Sequence, residues 1–519
     1  MNEPSTATRE ARALTASSAH ARTGWAVLAI AAIGWLLRAS PLIQAGAFGY
    51  PIDYDEGVYF ASSALLLKGV LPYRDFVFAH PPGLLYFLSP VAWLGTVGDP
   101  AFGFAAARWL ATLVGCANIL LLGRLAMRWA GPVAAIVAAA VYATHPEAVP
   151  IERGPFLEPV LNLCCLALAW VWLGRDGKEE GRRPSWMLAS GALCGLAISV
   201  KLLGALWLVA CLASRPRQGS RGDWILLAAA AAATWFGLVA PLALTAPADF
   251  FRQVVSFHAH RPPDGDLETV VRLGAIFWHQ GRLLESSLFL YGLAFALARA
   301  RDPGQRGERF FASAFLLIVA VFVSSPTYWS QYNAHLAVPE SALAGYGAAC
   351  LWRWAWRAAA KSRLVPVSAL LVVVPAWGAR RAILTGRDRS PEQVALARFV
   401  GRNVPPSAPL FAFEPSWSIG AGRLPDNGPE TLRMVDSYAT MLLDASRAGR
   451  RFASTAEAFR DPASQVAIRR ALAQSRFVIV GVRGHAQMSP ETLTWFQSRF
   501  VQRVPPPGAE GIDVWERAP

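Results

Sequence analysis

Apolar runs separated by short charged loops occupy most of the first 385 residues, and this alternation sets the expected architecture. A helix needs roughly 20 apolar residues to cross a bilayer. Runs at 25–42, 104–125, 132–145, 224–244, 283–298, 310–323 and 364–379 approach that length, as do a helix opening near Phe156 and one closing near Leu351. The run at 186–213 is apolar apart from Lys201 at its middle and is basic at both ends. It reads as a hairpin of two short helices with Lys201 at the tip. Residues 83–95, GLLYFLSPVAWLG, are too few to span and read as a helix lying at the interface.

Arginine clusters orient these helices, because cytoplasmic loops carry the excess of Lys and Arg. Arg9, Arg12 and Arg22 precede the first run, and GRDGKEEGRRP, RARDPGQRGER and the segment from Arg353 to Arg363 recur at alternate loops. Placing them inside gives about 11 spans. The segment at 52–82, the segment HPEAVPIERGPFLEP, the loop ADFFRQVVSFHAHRPPDGDLE and the element YWSQYN then all arrive on the outer face. From about Ser390 the pattern changes. PEQVALARFVGRNV has helical periodicity, LFAFEPSW and FVIVGV read as buried strands, PETLTWFQSRF reads as a helix and IDVWER as a strand. The expected organisation is a cytoplasmic tail at 1–23, a transmembrane domain at 24–385 and a small α/β domain at 386–519 on the outer side.

Composition agrees with this division. Of 519 residues, 54% are hydrophobic and only 16% charged, which is too apolar for an ordinary soluble protein. The net charge of +14 lies mostly in the loop arginines, and there is no Gly-rich phosphate loop, zinc-spaced Cys pair or RNA-binding signature. No nucleic-acid partner is expected. All six cysteines fall in apolar segments and read as core residues, not as a disulfide framework. The first apolar run is too long for a cleaved signal core and reads as a retained helix.

Candidate chemistry gathers in IDYDEGVYFASSALLLKGVLPYRDFVFAHPP, which carries Asp53, Asp55, Glu56, Arg74, Asp75 and His80 between membrane segments. Ionisable groups beside a bilayer are functional candidates by default. An Asp-Glu pair after the first helix, then Tyr73-x-Asp75, then Pro81-Pro82 opening an interfacial helix, resembles the first outer loop of the GT-C glycosyltransferases. The similarity is to the bacterial branch related to protein O-mannosyltransferases and lipid A aminoarabinose transferases. It continues in order and spacing through RGPFLEP and GLAISVKLLG, over residues 24 to about 350.

The resemblance implies an α-helical polytopic membrane protein of GT-C fold, with interfacial helices in the first outer loop. It implies inverting transfer of a sugar from a polyprenyl-phosphate donor to a lipid, glycan or protein acceptor. The reaction would occur at the outer face of a bacterial cytoplasmic membrane, with the C-terminal domain periplasmic. Asp55 matches the base that takes the acceptor proton, with Asp53 as runner-up and Glu56 as a third carboxylate. The alternative role of Asp55, at a helix start, is an N-cap, which does not exclude catalysis. Lys201, one of four lysines in the chain, and His80 are the candidate donor-phosphate ligands. A snorkelling lysine and a structural histidine are the alternatives, and His80 stands where aminoarabinose transferases carry Lys.

Glu158 is the candidate second acid, at a helix start that favours acids in any case. His258, His260 and Glu158 are the candidate ligands of a divalent metal, the only cofactor expected. Tyr59, Gln331 and Tyr332 are candidate substrate contacts, although interfacial aromatics also form membrane belts. The competing function is a non-catalytic transporter, flippase or envelope assembly factor. That reading calls for ionisable groups at the bilayer midplane and repeat symmetry, neither of which the sequence displays.

Overall fold

The computed structural model describes residues 6–50, 53–174, 183–215, 220–265, 268–277, 283–300, 302, 305–357, 361–385, 392–425, 427–447, 449–503, 508–509 and 511–519. The basic run at 175–182, Arg217 and the domain boundary expected at residue 386 lie outside the described residues. Among the described residues, five helices are long and apolar enough to cross a membrane: His20–Ala45, Pro100–Ala130, Arg221–Ala243, Arg306–Ser324 and Leu364–Leu384. Six shorter apolar helices accompany them.

The N-terminal half is a bundle whose breaks are written in the sequence. α1 (Thr6–Ala45) leads to α2 (Tyr54–Leu67) and α3 (Gly83–Val97), the 15-residue helix that Pro82 opens. α4 (Pro100–Ala130) starts where the Asp99 side chain accepts from the Ala101 amide, with Pro100 in its first turn. It stops at Gly131, whose φ of 93° suits glycine, and α5 (Pro132–Ala143) restarts at the next residue.

A buried polar cluster ties these helices to α6 (Ala148–Ile151) and α7 (Leu157–Leu173). Arg38 of α1 donates to Glu152 at 2.7 Å, and Asn118 and Tyr142 each donate to the same carboxylate at 2.8 Å. Arg153 donates to the Tyr50 hydroxyl at 2.6 Å. Glu152 and Arg153 therefore sit inside the bundle and not on the face where the sequence places them. A buried charge is tolerated only when paired and hydrogen-bonded, and this cluster meets that condition.

α8 (Arg183–Val200) and α9 (Ala205–Ala213) form the expected hairpin. Lys201 breaks it in an extended conformation, φ −152° and ψ 138°. α8 lies close along α10 (Arg221–Ala243), because Gly191 and Gly195 leave room for the Leu227 and Ala231 carbonyls, which a Cβ would strike. Farther on, the chain after α10 is joined to the segment before residue 330 where β1 (Asp264–Gly265) pairs in parallel with β2 (Thr327–Tyr328).

Beyond residue 391, β3 (Leu410–Ala412), β4 (Phe477–Val480), β5 (Phe500–Arg503) and β6 (Asp513–Arg517) form one sheet in the order β3-β4-β6-β5. β3 and β4 are parallel and the other pairs antiparallel; Ile479 faces Ala412 on one side and Val514 on the other. β3, β4 and β6 fall where their buried hydrophobic runs predict them. β5 does not, because only Phe500 of its four residues is buried, and Phe500 belonged to the expected helix PETLTWFQSRF. That helix ends at Gln497. The sheet region docks on α2: a Cβ on Gly57 would lie 2.5 Å from the Ser416 amide nitrogen.

Candidate active site

The start of α2 decides which of the clustered acids faces the site. Asp53 is extended, at φ −162° and ψ 168°, and its side chain accepts from the Tyr54 amide. Asp53 is thus the helix cap, and Asp55 is not. Successive residues of an α-helix point about 100° apart, so Asp55 shares a face with Tyr59, four residues on, while Glu56 turns away. Glu56 instead takes two bonds from Arg108 of α4, at 2.9 and 2.6 Å, with both side chains fully buried. The expectation that Glu56 belongs to the site is corrected: it anchors α2 to α4.

Asp55 opens into a cavity of about 120 Å³ that collects most of the other candidates. Asp53, Tyr59, His80, Glu158, Lys201, His258, Gln331 and Tyr332 all line it. Lys201, at the hairpin break, donates to Glu158 Oε1 at 2.6 Å and lies 4.5 Å from the centre of the Tyr332 ring. Gln331 donates to Asp55 Oδ2 at 3.3 Å. The Tyr59 hydroxyl and His80 Nε2 share a hydrogen bond at 3.3 Å, and the His80 and His258 rings lie 5.3 Å apart. Lys201 is therefore directed into the pocket by Glu158, not out toward headgroups.

The expected metal set does not assemble. His258 Nε2 donates to the Ala79 carbonyl at 2.7 Å, Glu158 is engaged by Lys201, and His260 is exposed and bonded to the Ser256 carbonyl. His260 lines a different cleft, because residues two apart on a helix point about 200° apart. Among the described residues no group of three His, Cys, Asp or Glu side chains converges to hold a metal ion.

The surroundings shift the titrating groups in useful directions. Burial, and then the neighbouring carboxylates of Asp53 and Asp436, push Asp55 up to about 8. The Arg483 guanidinium opposes this rise. Burial is also the main cause holding His80 well below its ordinary range and taking His258 down to about 4, helped by nearby cations. Both imidazoles are neutral near pH 7. The cavity thus offers one carboxylate able to take up a proton near neutrality and one ammonium group across from it.

The comparisons with known proteins fit this geometry. The family model of glycosyltransferase family 87 matches residues 78–326. ArnT from Cupriavidus metallidurans, solved bound to undecaprenyl phosphate, superposes with a TM-score of 0.62 at 17% identity, covering 95% of this chain and 98% of that one. The chain has the GT-C fold and is a glycosyltransferase. The archaeal oligosaccharyltransferase AglB from Archaeoglobus fulgidus, in complex with an inhibitory peptide and a dolichol-phosphate, shares the fold at a TM-score of 0.55 and 10% identity. It covers 95% of this chain and 74% of its own. The search of curated proteins returned no match. The glycosyltransferase is a multi-pass membrane protein.

Among the residues of the glycosyltransferase's pocket that the sequence reading does not single out are Arg261, Asp436, Tyr438 and Arg483. Three of them come from the C-terminal region. Asp436 accepts from the Tyr54 hydroxyl at 3.1 Å and also caps the helix Ser437–Ser446. Arg483 lies 3.8 Å from Asp53 and 4.4 Å from the centre of the Tyr54 ring. Tyr438 donates to Asp264. Arg261 is visible only as the basic residue beside His260; the contacts that bring the other three to the pocket are with residues at least 174 positions away.

Proposed function

We propose that this glycosyltransferase moves a sugar from a polyprenyl-phosphate carrier to an acceptor hydroxyl with inversion, at the outer face of a bacterial inner membrane. The observation that carries the reading is the shared cavity of Asp55 and the Lys201–Glu158 pair. A proton acceptor and a cation face each other there, as displacement at a phosphate-bearing carbon requires. Asp55 takes the acceptor hydroxyl proton while the acceptor oxygen bonds to the anomeric carbon. The bond from that carbon to the phosphate oxygen breaks, and polyprenyl phosphate leaves with the electron pair. A phosphate leaving group needs charge stabilisation more than protonation, and Lys201 supplies a positive charge in a desolvated pocket.

Glu158 acts through Lys201, fixing its direction and offsetting the cost of a buried ammonium. Arg261, which reaches the Tyr332 hydroxyl at 3.4 Å, is a second cation on the same wall. His80, held neutral, donates or accepts a hydrogen bond and adds no charge. Asp53 caps α2 and so points Asp55. Tyr59, Gln331 and Tyr332 are placed to contact the sugar. The carrier class is supported by what ArnT and AglB hold, an undecaprenyl phosphate and a dolichol-phosphate. The N-terminus is cytoplasmic in this orientation and the C-terminal region periplasmic.

The reading is tested by profiling envelope lipids and glycans of a deletion strain complemented with the wild-type gene or with Asp55→Asn. Wild type restores a glycoform that Asp55→Asn does not. Identical profiles from both complemented strains overturn it.

A further inference from the structure

Where the C-terminal region meets the start of α2 there is a separate pocket of about 280 Å³, and Asp53, Tyr54 and Arg483 line both it and the catalytic cavity. Its other walls include Glu392 and Gln393, at the start of the helix Glu392–Asn403, and Glu414 and Trp417, just after β3. Small-ligand sites usually measure about 300–1,000 Å³, so an occupant of this one is small.

Polar groups facing this pocket lack partners. Gln393 is only 7% exposed, and its Oε1 accepts no hydrogen bond. The Glu414 carboxylate feels the charges of Arg483 and Asp53 but takes no hydrogen bond among the described residues. Arg483 lies 3.8 Å from Asp53 and over the Tyr54 ring, and its guanidinium donates no hydrogen bond among the described residues. Hydrogen bonds left unmade by buried groups cost free energy that a matching ligand recovers. Trp417, which packs closely on Gly481, adds an apolar surface to the wall.

The mixture of unused donors and acceptors decides what fits. Three carboxylates, Asp53, Glu392 and Glu414, against the one arginine repel a phosphate or carboxylate ligand. The guanidinium among them disfavours a metal ion, and among the described residues no three acidic, cysteine or histidine side chains converge to hold one. A sugar hydroxyl both donates and accepts. Neighbouring hydroxyls of one ring can therefore accept from Arg483 and donate to Glu414 and Gln393 Oε1, with the C–H face of the ring on Trp417. We propose that this pocket is a saccharide-binding site, separate from the catalytic cavity, that holds one neutral sugar unit. The sugar arrives free or as one unit of a longer glycan. Because Arg483 also acts on Asp55, an occupied pocket is sensed in the catalytic cavity.

The test uses the purified full-length protein in a detergent without a sugar headgroup, with binding followed by saturation-transfer NMR titration. The neutral probes are methyl α-D-glucopyranoside, methyl α-D-mannopyranoside and methyl β-D-galactopyranoside for a free sugar, and maltotriose and mannotriose for a glycan. Glucosamine and glucuronate are the charged comparators. The pocket variants are Gln393→Leu and Glu414→Ala, and Asp55→Asn marks any sugar held in the catalytic cavity. Wild type binds at least one neutral probe, more tightly than either charged comparator. Monosaccharide binding assigns the single unit, and binding confined to a trisaccharide assigns the glycan. Each pocket variant weakens that binding about tenfold or more, as loss of a hydrogen bond to a buried or charged group implies. Asp55→Asn binds as wild type does. Gln393→Leu unfolds no earlier than wild type, because the buried acceptor it removes has no partner.

Absence of binding by every neutral probe, or equal binding by wild type and both pocket variants, overturns the proposal. So does tighter binding of glucosamine than of any neutral sugar, which marks a cation site. Loss of binding in Asp55→Asn with retention in both pocket variants places the sugar in the catalytic cavity and overturns it as well. If Gln393→Leu does not fold, Glu414→Ala decides alone: weakened binding supports the site and wild-type binding overturns it.

Discussion

Asp55→Asn separates stability from activity in a way that follows from the site's electrostatics. Asp55 is carried from an ordinary value of 3.8 to about 8, chiefly by burial. At about 1.4 kcal/mol for each pH unit, the pocket favours the neutral carboxyl by on the order of 5 kcal/mol. The folded protein keeps this proton up to about pH 8, while the unfolded chain releases it near 3.8. Between those values the folded state binds more protons, so its stability falls as pH rises. Asparagine has the same shape and does not titrate. Relative to wild type, Asp55→Asn therefore gains about 4 kcal/mol from pH 5 to pH 9, or roughly 4 °C in Tm when the usual scaling is extended to a chain of this size. Thermal unfolding of both proteins in the same detergent at the two pH values gives this double difference directly. A wild-type-to-variant difference that is the same at both pH values refutes the reasoning, because Asp55 would then be titrating as it does in the unfolded chain.

Other substitutions probe the neighbouring parts. Arg483→Gln removes the cation that holds Asp55 down, so the carboxyl rises further. The rising limb of the pH-rate profile then moves to higher pH. The deficit is largest near pH 7 and vanishes above the limb, and an unmoved profile excludes this role for the C-terminal region. Lys201→Met raises the KM for the polyprenyl-phosphate donor at least tenfold and leaves the KM for the acceptor within about twofold, as a lost charge-assisted contact worth about 1.5–3 kcal/mol implies. Adding Glu158→Gln to it restores thermal stability without restoring donor use, since the unpaired buried carboxylate is gone. Glu56→Ala leaves Arg108 buried without its carboxylate and lowers stability by about 3–5 kcal/mol. That loss shows as a reduced yield of folded protein, and wild-type yield contradicts the anchoring role.

Sequence legibility tracked the range of the physical signal. Asp55, Glu158 and Lys201 were readable because membrane sidedness is cumulative: each arginine-marked loop fixes the side of the next, and three weak acidic or basic signals arrive on one face. The break at Lys201 was readable as a charge inside an apolar run. Glu56 and His260 were misplaced for a geometric reason available in the sequence. Adjacent residues, and residues two apart, diverge around a helix, and the segment at 257–260, which carries the composition of a loop, is helical. Arg483 and Asp436 were not readable at all. Asp436 meets Tyr54 across 382 residues, and no periodicity records a contact at that separation. The edge strand β5 was missed because an exposed edge carries little hydrophobic pattern.

The central claim is that Asp55 is the base of a polyprenyl-phosphate-dependent transfer. The most direct measurement is the release of polyprenyl phosphate from a sugar-labelled polyprenyl-phosphate donor in membranes containing wild type, Asp55→Asn or Asp53→Asn. Loss of a positioned general base costs about 10²–10⁴-fold in rate. The account predicts a loss in that range for Asp55→Asn and a smaller one for Asp53→Asn, whose role is to cap α2. Transfer by Asp55→Asn at the wild-type rate, with the protein folded and present in equal amount, contradicts it.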